Sequence, residues 1–84
     1  MILPIFSMRD KVADSFQSCA LDTNDFVAKR NFSYAVNNSQ ELLFKSKDLE
    51  LYRVGEFDTE KGCITPVVPA VLVCRGDEVI LDGK

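Results

Sequence analysis

The stretch LELYRVGEFDTEKGCI, residues 49–64, limits the fold more than any other part of the chain. Extended backbone alternates its side chains, so Leu49, Leu51 and Arg53 point to one side and Glu50, Tyr52 and Val54 to the other. Gly55 breaks the pattern, which marks a bulge or a close approach of another backbone. Asp58-Thr59-Glu60-Lys61 suits a type I turn, and Gly62 suits the left-handed position that follows it. Cys63-Ile64-Thr65 then starts a returning strand. A calcium loop would need further oxygen ligands and a distal glutamate, which DTEKG lacks. The stretch is a β-hairpin, and a sheet must be built around it.

The rest of the chain supplies partners for that hairpin. ILPIFSM, residues 2–8, is rich in β-formers. Pro4 lacks a ladder donor, which predicts an edge strand or one that begins just after the proline. Arg9-Asp10-Lys11 reads as a turn, and VADSFQSCA as a return strand with Val12 or Phe16 inward. Asp22, Thr23 and Asn24 offer capping oxygens for a helix with Asp25 in its first turn. Within NDFVAKRNFSYAVNN, Ala28, Phe32, Ala35 and Val36 recur at helical spacing as a core stripe. Asn37, Asn38 and Ser39 stop the helix. SQELLFKSKD, residues 39–48, reads as a short helical turn or ordered loop. Leu42, Leu43 and Phe44 plug the core there, and Lys45 and Lys47 lie in water. After the hairpin, Pro66 and Pro69 make the chain irregular before AVLVC, a short run expected to be buried. Arg75-Gly76-Asp77 reads as the turn of a terminal hairpin between AVLVC and EVIL, and residues 82–84 should fray.

This predicts a single small domain over residues 1–84 with an α+β fold: one amphipathic helix packed on a small antiparallel sheet built from hairpins. An 84-residue chain has room for one core, and its 46% apolar content is that of a folded protein. A domain of this size is marginally stable alone, so a partner surface or self-association is in keeping with it. The N-terminal apolar run is too short for a signal peptide, and no segment approaches the roughly 20 apolar residues of a membrane span. The chain reads as soluble and intracellular, without a membrane partner.

Chemistry is harder to find than structure. Histidine is absent, which removes Ser–His and Cys–His nucleophile pairs, an imidazole base and an ordinary zinc site. Cys19, Cys63 and Cys74 form no CxxC pattern and read as reduced, mostly buried thiols; one disulfide plus a free thiol is the alternative. Glu56, Asp58 and Glu60 crowd a turn where carboxylates are usually solvated. No glycine-rich phosphate loop is present. The expectation is a protein that is not an enzyme, with no cofactor and no metal.

Binding remains. Single-stranded nucleic acid is held by rings that stack on bases and by cations that follow the phosphates. Tyr34 with Lys29 and Arg30, and Tyr52 with Arg53, are the two places where ring and cation could act together, with Lys45 and Lys47 as phosphate-facing helpers. Against this stands a formal charge of −3, without the basic excess of a non-specific nucleic-acid binder. Each pairing also has a plainer reading, as a half-buried tyrosine beside a packing arginine. The second helical stripe of Phe26, Val27, Arg30 and Tyr34 is open to three accounts: cover by another element, self-association, or nucleic-acid contact.

The opening hairpin also resembles the most recognisable block of a family, the small nonstructural protein of gokushoviruses, single-stranded DNA phages of the Microviridae. The matching residues are Asp48, Leu51-Tyr52, Gly55-Glu56-Phe57-Asp58 and Gly62. Asn24-Asp25, Ala28-Lys29-Arg30-Asn31-Phe32 and Ala35-Val36-Asn37 resemble the family's upstream elements, and Phe6 to Lys11 its N-terminal strand and turn. The resemblance covers about residues 5–65. Cys19-Ala20 replaces a proline common in the family, and residues 66–84 read as a subgroup-specific tail, in keeping with phages of chlamydiae. The resemblance implies a DNA-binding protein of the host cytoplasm. It would act in viral DNA replication, at the switch to single-strand synthesis, or in DNA packaging. Single-stranded DNA is the favoured partner. The rival is a homodimeric interaction module acting on a phage or host replication or packaging protein, motivated by Phe26, Val27 and Tyr34.

Overall fold

A computed structural model describes residues 1–81. The main elements are β1 (Ile2–Asp10), β2 (Ser15–Phe16), β3 (Ala20–Leu21), α1 (Asp25–Asn38), α2 (Gln40–Phe44), β4 (Leu49–Asp58) and β5 (Cys63–Arg75). The strands form one antiparallel sheet in the order β2-β1-β4-β5, with β3 also paired to β1. One main helix on one antiparallel sheet is the α+β architecture expected.

The hairpin folds as its residues dictate. Asp58 Oδ1 accepts from the backbone N–H groups of Glu60 and Lys61 at 2.9 and 3.2 Å, and Gly62 N–H donates to the Asp58 carbonyl at 2.8 Å. Gly62 has φ +68°, the left-handed geometry that the loop requires. At Gly55 both expectations hold. The β4–β5 register shifts there, and an added Cβ would stand 3.0 Å from the Thr65 carbonyl oxygen. The bulge is large: four residues, 67–70, stand opposite Val54 between the pairs Arg53↔Val71 and Gly55↔Pro66.

Several expectations fail for want of tertiary information. β1 is no edge; it starts at Ile2 and has neighbours on both sides. Pro4 is accommodated because its carbonyl accepts from Asp22 N–H, which places its missing donor on the side where β3 ends. The return strand is reduced to the fragments β2 and β3, and Val12 and Phe16 are exposed rather than inward. Phe44 is exposed, whereas Leu42 and Leu43 pack against the core. AVLVC is not a buried run: β5 is the edge strand, so Val71 and Leu72 are exposed and Cys74 alone of the five is fully buried. No terminal hairpin forms among the described residues, and the expected fraying of residues 82–84 falls outside them. A short 3-10 turn at Gly76–Glu78 leads into residues 79–81, which lie along α1.

Asn24 caps α1 by accepting from Val27 N–H at 2.9 Å. Ala28, Phe32 and Val36 are buried, but Ala35 is exposed and Asn37 is buried in its place. Ala28, Phe32 and Val36 form the core with Phe6, Leu49, Leu51, Cys74 and Val79. The helix spans about 21 Å, against a longest molecular dimension of 44 Å. It therefore covers one end of the sheet and leaves the other bare.

Candidate nucleic-acid interface

The geometry of α1 sets its outer surface. Phe26, Arg30 and Tyr34 follow at four-residue intervals, so they climb about 12 Å along the helix with a slow sideways drift. Phe26 is 85% and Tyr34 71% exposed, and Arg30 is exposed between them. Val27 is half-buried beside the row. Lys29, also exposed, flanks it. Neither Lys29 nor Arg30 forms an ion pair among the described residues. Phe26, Lys29, Arg30 and Ser33 form one wall of a groove of about 360 Å³, and Glu78 to Leu81 form the other. A smaller hollow of about 300 Å³, lined by Asp25, Phe26 and Lys29, reaches Leu72 and Val73.

Tyr52 and Arg53 do not act together. As sequence neighbours on β4 they project to opposite faces of the sheet. Arg53 lies on the α1 side, 3.9 Å from Asp25, and its buried Nε has no hydrogen-bond partner among the described residues. Tyr52 lies on the far side, where its hydroxyl donates to Glu50 Oε1 at 3.2 Å and its ring meets Phe16 edge-on at 5.6 Å. Partial burial and the neighbouring Glu50 carboxylate both raise the Tyr52 pKa. Arg9 completes that cluster, 3.4 Å from Glu50 and 2.7 Å from Asp14; its guanidinium pKa is raised by the Asp14 contact above all.

Lys45 is half-buried and bonded to Glu41 at 3.0 Å, which raises its pKa, whereas Lys47 is exposed on the turn that follows. The seven sequence-derived contacts thus divide. Lys29, Arg30 and Tyr34 share α1, Lys45 and Lys47 sit on the segment after it, and Tyr52 and Arg53 are separated by the sheet. Phe26 belongs with the first group and was grouped with it by helical spacing, but was not among the expected contacts.

The cysteines also depart from expectation. Cys74 is buried, and desolvation pushes its pKa up to about 11, but Cys19 and Cys63 are exposed thiols. No group of three or more potential metal ligands occurs among the described residues. None of the described helices is long and apolar enough to cross a membrane.

Fold and surface together define a small α+β protein with an exposed aromatic and basic helix row. The chain belongs to the Phage ORF5 protein family, whose model matches residues 3–79. That match extends beyond residue 65, to residue 79. No curated protein and no solved structure matches the chain.

Proposed function

We propose that this phage protein binds single-stranded DNA in the host cytoplasm, during genome replication or the switch to single-strand synthesis and packaging, in a gokushovirus-like cycle. The observation that carries the reading is the α1 row: two exposed rings bracket an arginine, with a lysine alongside. Such a row offers stacking surfaces to bases and cations to phosphates without any chemistry. Placement on a helix keeps the three side chains in fixed register. A negative overall charge is compatible with this, because counterion release depends on the cations at the contact. The groove beside the row, walled on its other side by residues 78–81, gives a base displaced from a ring a recess with both apolar and polar walls.

Fluorescence anisotropy with a labelled oligothymidylate at low salt tests the reading. The wild-type chain should bind, and Phe26→Ala or Tyr34→Ala should each weaken binding by about 1–2 kcal/mol, the worth of one stacked base. Absence of binding at low salt, or full binding by the Phe26→Ala, Arg30→Ala, Tyr34→Ala triple variant, would overturn it.

A further inference from the structure

We propose that the groove between α1 and residues 78–81 reads base identity in the bound strand. Glu78 accepts a hydrogen bond there from the exocyclic amino group of a base, so cytosine is favoured over uracil and thymine. The inference rests on the single-stranded DNA reading and deepens it, by naming what one recess of that site selects.

The groove has two unlike walls. On α1, Phe26, Lys29, Arg30 and Ser33 recur at three- and four-residue spacing, so they share one flank of the helix. Residues 78–81 form the opposite wall, with Glu78 at its start. The volume between them, about 360 Å³, lies within the range of small-molecule sites. The helix wall brings a ring that is 85% exposed and two cations that form no ion pair among the described residues.

Glu78 is fixed where it stands. It ends the 3-10 turn at Gly76–Glu78, and its Oε1 accepts from the Arg75 backbone N–H at 3.0 Å. The same oxygen lies 3.1 Å from Arg75 Nε. Both contacts thus fall on Oε1, and Oε2 stays open to an incoming donor. Ser33, the other neutral or acidic polar side chain of the groove, is already engaged. Its Oγ donates to the Val79 carbonyl at 3.0 Å and accepts from Asn37 Nδ2 at 3.3 Å.

Charge selects the occupant. Lys29 and Arg30, with Arg75, outnumber Glu78 and Asp77, the two carboxylates that Arg75 meets, in a chain whose formal charge is −3. The recess therefore favours an anion, yet it also holds a carboxylate that calls for an N–H donor. An anion, a flat face and a donor are joined in a nucleotide whose base carries an amino group. Carboxylate side chains pair in this way with N4 of cytosine. Uracil and thymine present an oxygen at that position, which Glu78 would repel.

Anisotropy of labelled oligodeoxycytidylate, oligodeoxyuridylate and oligothymidylate of equal length, at neutral pH and low salt, tests the inference. Uracil differs from cytosine only around its amino-bearing edge, so ring size is held constant. The wild-type chain should bind the cytidylate about fivefold more tightly than the uridylate, the low end for reading a base edge. Glu78→Gln keeps an acceptor for Arg75 N–H, and it should remove that preference with circular dichroism unchanged. Equal binding of cytidylate and uridylate by the wild type, or a preference that survives Glu78→Gln, would overturn the inference and leave the stacking reading in place. Binding of none of the three strands would overturn both.

Discussion

The side-chain amide of Asn37 holds Val79: its Nδ2 donates to the Val79 carbonyl at 2.8 Å, joining the last turn of α1 to the segment that follows β5. The same amide accepts from Leu81 N–H at 3.0 Å, and Ser33 Oγ adds a third bond by donating to the Val79 carbonyl. Asn37 therefore does for residues 79–81 what a neighbouring strand would do.

Removing that amide should be costly, because Asn37 is buried and its partners are backbone groups. Asn37→Ala is expected to lower stability by about 2–3 kcal/mol, the cost of leaving buried polar groups without partners. Asn37→Asp should lose more at neutral pH, since a carboxylate cannot donate and would face the Val79 oxygen. Urea unfolding of the two variants checks both.

The two glycines at turns should respond differently to a methyl group. At Gly76 an added Cβ would overlap the Ser46 carbonyl, and both partners are backbone. Gly76→Ala is expected to cost about 3 kcal/mol or more. Gly62 has open space around it and only a positive φ to defend. Gly62→Ala should therefore cost about 1–2 kcal/mol. Thermal or urea denaturation that ranked them the other way would contradict the packing of the 3-10 turn.

Cys74 gives stability an alkaline limit. Burial raises its folded-state pKa from 9.0 to about 11, so the folded chain keeps a proton that the unfolded chain gives up. The contribution is complete below about pH 9 and is lost as pH rises toward 11. It amounts to about 3 kcal/mol at full extent. Urea titrations at pH 8 and pH 10.5 should show a steeper loss for the wild type than for Cys74→Ala.

If α1 carries the DNA contact, salt and substitution should separate its parts. Arg30→Ala should reduce the slope of log affinity against log salt by about 0.7, the increment for one phosphate contact on a single strand. Tyr34→Ala should lower affinity and leave the slope unchanged, because stacking releases no counterions. Arg53→Ala should leave both unchanged, since that side chain faces Asp25 at the sheet–helix junction. Anisotropy titrations at three salt concentrations distinguish these outcomes.

What the sequence could convey is clearest where a residue acts on its immediate neighbours. Asn24 as a cap, Asp58 and Gly62 in the turn, and the alternation of Leu49 and Leu51 all depend on local geometry, and each appears as read. Burial of AVLVC failed because a strand at the sheet's edge and one at its centre can have the same composition. Val12, Phe16 and Phe44 failed for a similar reason, since exposure is decided by which distant element comes to lie above them. Ala35 and Asn37 exchanged roles because residues 79–81 approach α1 from the side. Tyr52 and Arg53 are kept apart by two-residue periodicity, which sends sequence neighbours on a strand to opposite faces. The groove lined by Ile5, Cys19, Leu21, Phe57 and Ile64 had no local signal, as its walls come from four separate parts of the chain.

Because α1 roofs only one end of the sheet, a single strand such as β4 passes through two environments. Its first residues, Leu49 and Leu51, are sealed beneath a helix, whereas its last, Phe57 and Asp58, have only strands beside them. Amide hydrogens along this strand should consequently exchange with solvent at graded rates, slow at the beginning and faster toward the turn. Opening would then start at the bare end and travel inward, so the tip could loosen and re-form while the helix stays seated.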